Sequence, residues 1–147
     1  MRYASCISAL LALLLMSCAS ETAYHEYRHT LAEGWLRSDA LRYDIALRDS
    51  GTYHEVIGFR TNMEYPFTSV TLIVCQFVGD KHYTDTVTCE FNSADGKSDG
   101  RGVSIRQFEF PLGSVEINDS IHIAVQHCMS ADTLRGILDV GVKICGQ

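Results

Sequence analysis

The sequence predicts an all-β fold, a two-sheet antiparallel β-sandwich of immunoglobulin-like or jelly-roll-like type with about seven strands. Three observations carry this expectation. From Trp35 onward apolar residues recur with a period of two rather than 3.6. The runs are short and closely spaced, and several are separated by Gly-, Ser- or Asp-containing turns such as "SGT" and "GDK". The alternation of apolar and polar residues suits two sheets that share one core and face water on the other side.

The elements follow in order. Residues 18–34 alternate between polar and aromatic and are expected to be a tether that joins the body near Trp35. "LRYDIALR" puts Leu41, Tyr43, Ile45 and Leu47 on one face and Arg42, Asp44 and Arg48 on the other. After the "SGT" turn, "YHEVIGFRTN" places Tyr53, Ile57 and Phe59 together. "NMEYPF" contains Pro66 and reads as a connection. "SVTLIVCQFV" is apolar on both faces, as in a central strand. A three-residue turn at 79–81 would then pair Ile73 with Val87 and Phe77 with Tyr83, with Cys89 opposite Thr71. "NSADGKSDGRG" is a surface loop, and "VSIRQFEFPL" changes face along its length, which predicts a bulge. "SIHIAVQHCM" turns Ile121, Ile123 and Val125 inward, and "CMSADTLRGI" is expected to hold one helical turn. In "ILDVGVKICG", Leu138, Val140, Val142 and Ile144 are expected inward and Asp139, Gly141 and Lys143 outward. A glycine inside a strand packs nothing, so Gly141 implies either a bulge or the close approach of a neighbouring segment or partner.

The N-terminus has a separate logic. Arg2 precedes an almost unbroken apolar run from Ile7 to Met16, followed by small residues. This is the layout of a secretory signal, and the run is about half the ~20 residues a membrane span needs. "Leu15-Met16-Ser17-Cys18" resembles a bacterial lipobox, in which the cysteine thiol is acylated and cleavage precedes it. The expected division is a lipoprotein signal peptide at 1–17, a lipidated N-terminus and tether at 18–34, and a β-sandwich domain at 35–147. Cys18 is the expected lipid attachment residue.

Composition narrows the function. The chain has 18 acidic and 12 basic residues, and no basic cluster, which argues against nucleic acid as a partner. An acidic body gains no attraction from anionic lipid, so membrane attachment would rest on acyl chains. Cys75, Cys89, Cys128 and Cys145 contain no C-x-x-C pair, and hairpin geometry argues against Cys75–Cys89 and Cys128–Cys145 bridges. His25 and His29 have i, i+4 spacing but lack a third ligand nearby, and His122 falls on a polar face. "ADGKSDGRG" has the wrong ligand spacing for a calcium loop. No nucleophile elbow, zincin, phosphate-loop or dinucleotide motif occurs, so no catalytic residue, metal or cofactor is expected.

Two stretches say more. "NMEYPFTSVTLIV", Asn62 to Val74, and "LRGILDVGVKI", Leu134 to Ile144, resemble the gliding motility lipoprotein GldH family of Bacteroidota. Tyr65, Pro66, Gly136, Asp139, Val140 and Gly141 fit the family pattern. "EYRHTLAEGW", ending at Trp35, is similar to its entry into the domain, and "GDKHYTDTV" to its central hairpin. Residues 92–110 fit less well. The resemblance implies a lipid-anchored envelope protein connected with the gliding machinery and its associated secretion route, with envelope proteins as partners, and it does not imply an enzyme. Ala19, which stands where an Asp would retain a lipoprotein at the inner membrane, favours the outer membrane. The resemblance also implies structural roles for Trp35, Tyr65, Pro66, Gly136, Asp139 and Gly141. The alternative is an envelope-anchored binding module for a glycan or protein ligand, since sandwiches host many functions.

Overall fold

The computed structural model of the chain describes residues 21–91, 97–98 and 105–146. The signal region, Cys18 and most of the 92–102 loop lie outside the described residues. The strands are β1 (Thr22–His29), β2 (Trp35–Leu36), β3 (Leu41–Ala46), β4 (Gly51–Thr61), β5 (Ser69–Val78), β6 (Lys81–Glu90), β7 (Lys97–Ser98), β8 (Arg106–Ile117), β9 (Ser120–His127), β10 (Thr133–Leu134) and β11 (Ile137–Gly146). One sheet has the order β1-β11-β4-β8-β7, the other β3-β9-β5-β6, and β10 pairs β2. Every pairing is antiparallel.

The all-β sandwich is therefore present, and its seven expected strands correspond to β3, β4, β5, β6, β8, β9 and β11. The alternating residues fill the space between the sheets. Tyr43, Ile45, Ile121, Ile123, Val125, Leu72 and Val74 from one sheet meet Ile57, Phe59, Val140, Val142, Ile144 and Ile117 from the other, all essentially inaccessible to water. Each such side chain contributes roughly 1.5–3 kcal/mol relative to exposure.

The structure departs from the sequence reading in four places. Residues 22–29 are not tether. They form β1, which adds to the edge of β11 from Thr22↔Cys145 to His29↔Asp139. Its backbone ladder supplies the stability that its mixed side chains do not advertise. The β5–β6 turn holds two residues, Gly79 and Asp80, not three, because Gly79 takes φ 57° and Val78 pairs with Lys81. Gly at the first position with positive φ matches a type II′ hairpin. The one-residue difference flips the faces. Ile73 is opposite Thr86 and Phe77 opposite His82, and both point outward, Phe77 being 45% exposed.

Leu138 is not an inward residue of the β11 alternation. The β11–β4 register shifts between Ile137 and Asp139, so Leu138 is the extra residue of a bulge and Ile137 is buried instead. Finally, the 128–136 segment contains no helical turn. It bends into β10, which pairs with β2. The bulge expected in β8 is found, with Leu112 as the additional residue between Pro111↔Val56 and Gly113↔Glu55.

Cys75, Cys89, Cys128 and Cys145 are free thiols. In the true register Cys75 faces Thr84 and Cys89 faces Val70, five positions apart and so ~16 Å. Burial pushes the Cys89 thiol up to about 11, which leaves it unreactive.

Candidate functional site

The sandwich has two ends with different contents. At one, the Gly146 amide donates to the Glu21 carbonyl (2.9 Å) and Leu47 to Asp119 (2.7 Å), with the Gly79–Asp80 turn alongside Asn118 and Asp119. This is where the chain enters β1. The other end gathers four of the pattern residues. Trp35 is fully buried, pairs with Leu134, donates from Nε1 to the Asp39 carbonyl (2.9 Å) and meets the His127 ring edge-on. His127 Nε2 lies 3.1 Å from the Trp35 carbonyl, and burial lowers its pKa. Gly136 takes φ 84°, and a side chain there would collide with the backbone of Glu64 and Tyr65. Its carbonyl accepts from the Asn62 amide (2.8 Å). Tyr65 donates to the Ser69 carbonyl (2.8 Å) and packs edge-on against Phe67 and Phe91, while Pro66 is exposed. Tyr65 and Gly136 therefore lock one turn onto another by direct backbone contact.

Asp139 and Gly141 lie on the outer face of β11. Tyr27 of β1 is paired with Gly141, which is paired with Gly58 of β4. The Tyr27 ring covers both glycines, so that a Cβ at Gly141 would sit 2.7 Å from its Cδ1 and Cε1. The Arg60 guanidinium stacks 4.1 Å from the centre of the ring. Asp139 is buried between His29, whose Nδ1 touches its Oδ1, and Arg60 at 3.7 Å from Oδ2. His25 and His29 are thus on a strand, not at helical spacing, and His29 pairs with a carboxylate. His122 is exposed and bonded to Asp44 (2.7 Å).

A third feature escaped sequence reading. A cleft of about 510 Å³ opens between β6, at the edge of its sheet, and the part of β8 that runs on past its pairing with β7. Its floor carries Glu55, only 3% exposed, bonded through both carboxyl oxygens to the Gln76 amide nitrogen (3.0 and 2.9 Å). Burial raises the Glu55 pKa, with Asp85 adding to the rise and the Gln76 hydrogen bond opposing it. Val74, Val87, Leu112 and Val115 wall the cleft, and Asp85 and Glu116 also line it. The signal was present in the sequence, because Glu55 shares the parity of Tyr53, Ile57 and Phe59, and Gln76 that of Leu72 and Val74.

Among the described residues no group of three or more His, Cys, Asp or Glu side chains is placed to hold a metal ion, and no helix is long and apolar enough to cross a membrane.

The GldH lipoprotein family model matches residues 22–144. Among curated proteins none matches the chain. Solved structures with a similar course include Eiger TNF from S. frugiperda, 9% identical with TM-score 0.38, covering 84% of this chain and 92% of that one. An exo-beta-1,3-galactanase from Phanerochaete chrysosporium, solved with galactose, is 8% identical with TM-score 0.40, covering 86% and 27%. The VP2 subviral particle of infectious bursal disease virus is 10% identical with TM-score 0.33, covering 87% and 32%.

Proposed function

Because the chain belongs to the GldH lipoprotein family, we propose that it is a lipid-anchored cell-envelope protein that serves as an accessory structural or assembly component of the gliding motility apparatus and its associated secretion machinery. The observation that carries this reading is the family match from Thr22, the first residue of β1, to Ile144 in β11. The proposed anchor is acylated Cys18, in the outer membrane.

The position of β1 supports the anchor. Three residues, Ala19, Ser20 and Glu21, lie between Cys18 and Thr22, so the four residue steps span at most ~14 Å when extended. β1 is built into the sheet beside β11, and the lipid is therefore joined to the packed domain rather than to a long tether. The domain sits close to the bilayer by the end bearing Glu21 and Gly146, and the end bearing Tyr65 and Gly136 points away. Trp35, Tyr65, Gly136 and Gly141 are engaged in packing and backbone contacts, which suits a scaffold rather than an enzyme.

Affinity purification of the tagged lipoprotein from its own host, with identification of co-purifying envelope proteins, tests the role. Components of the motility or secretion apparatus are expected, together with loss of spreading when the protein is deleted. Purification without them, from cells whose motility survives the deletion, would refute it.

A further inference from the structure

We propose that the cleft between β6 and β8 binds an alkylammonium or guanidinium group, presented as a lysine or arginine side chain by an extended segment of a protein partner. The starting point is Glu55. It occupies an inward position of β4 where alternation places apolar residues, and it is almost wholly buried. Its one side-chain partner among the described residues is the Gln76 nitrogen, which serves both carboxyl oxygens. When ionised, the carboxylate accepts from Gln76 but has no cation beside it among the described residues, and the open space beside the carboxyl is the cleft.

The rest of the lining defines what fits. Among the described residues Asp85 and Glu116 are the other charged groups of the lining, and no Lys, Arg or His contributes to it. Two carboxylates and a buried third favour a cationic N–H donor and disfavour anions. Val74, Val87, Leu112 and Val115 provide an apolar channel for a methylene stem. The walls also specify a peptide rather than a free amine. Among the described residues, β6 pairs with β5 on one side alone, and β8 is paired on its outer side only at Arg106 and Gln107. Both therefore offer unpaired backbone groups to an extended chain. This inference depends on no feature of the lipid anchor.

The test uses the full lipidated protein in detergent micelles, with Val and Leu methyl groups observed by NMR. The probes are Nα-acetyl-arginine amide, Nα-acetyl-lysine amide, the uncharged Nα-acetyl-norleucine amide, cadaverine, and the capped tripeptide Ala-Arg-Ala. Saturable shifts confined to Val74, Val87, Leu112 and Val115 are expected from the cationic amino-acid probes at millimolar concentration, with none from norleucine. Glu55→Gln should weaken binding at least ~10-fold without lowering the melting temperature. Asp85→Asn and Glu116→Gln, at the more open positions, should each weaken it a few-fold. Absence of shifts with both cationic amino-acid probes, or undiminished binding by all three variants, would overturn the site. Cadaverine binding as tightly as the tripeptide would overturn the assignment to a protein side chain in favour of a free amine.

Discussion

The ring of Tyr27 lies across Gly141, its partner in the β1–β11 ladder, and reaches on over Gly58 in β4. A glycine in a strand interior gives up side-chain packing, and here an aromatic neighbour restores it. The close approach implied by Gly141 is thus made within the chain, by the strand that follows the proposed lipid site.

Gly141→Val should therefore destabilise the isolated domain. Its side chain would need the space of the Tyr27 ring, and overpacking of this kind costs about 1–3 kcal/mol. A fall of several degrees in melting temperature is expected. Adding Tyr27→Ala should make the two effects non-additive, since the residues touch. A wild-type melting temperature for Gly141→Val would contradict the contact.

Removing β1 should be worse than removing what precedes it. A protein beginning at Glu21 should give a β-type circular dichroism spectrum and melt cooperatively. One beginning at Trp35 exposes the edge of β11 from Asp139 to Cys145 and uncovers Gly141. It should melt at lower temperature, with a broader transition, or aggregate through that edge. Equal melting of the two would return residues 22–34 to the status of a tether.

Much of the fold was legible in the sequence because its core strands alternate strictly. Leu41, Tyr43 and Ile45, or Ile121, Ile123 and Val125, have few other ways to be buried. β1 was not legible. Tyr24, Glu26 and Arg28 sit at the border of the sandwich, half-buried or exposed, and satisfy one another by a hydrogen bond and an ion pair. Strand register was lost at Gly79, where the choice between two and three turn residues rests on backbone conformation. Leu138 was misplaced because a bulge adds a residue without changing composition. Of the candidate site, the pattern residues could be named from sequence. The meeting of Tyr65 with Gly136, and of Glu55 with Gln76, required the topology.

The buried Glu55 predicts a pH dependence of stability. Its folded-state pKa lies above the ordinary carboxyl value of 4.5 because burial disfavours the charge. Between the unfolded and the folded value the native state holds more protons, so this group's contribution falls as pH rises through that window. Glu55→Gln keeps the shape and can still accept from Gln76, yet has no charge to bury. Its melting temperature relative to wild type should rise from pH 4 towards pH 8. A constant difference across that range would place the Glu55 pKa at its unfolded value.

Val140→Asp should abolish folding. Val140 is inaccessible to water, and its carbonyl accepts the Tyr43 hydroxyl (2.7 Å) across the two sheets. A charge without a partner at that place is strongly unfavourable. Proteolysis and circular dichroism would report it, and a protease-resistant Val140→Asp domain would contradict the packing described.

Metabolic labelling with a clickable fatty acid, followed by membrane fractionation, measures the proposed acyl anchor at Cys18. The wild-type protein should carry the label and sediment with membranes. Cys18→Ala should carry none, and should either remain uncleaved or be released from the membrane. Label persisting on Cys18→Ala would contradict the proposed anchor.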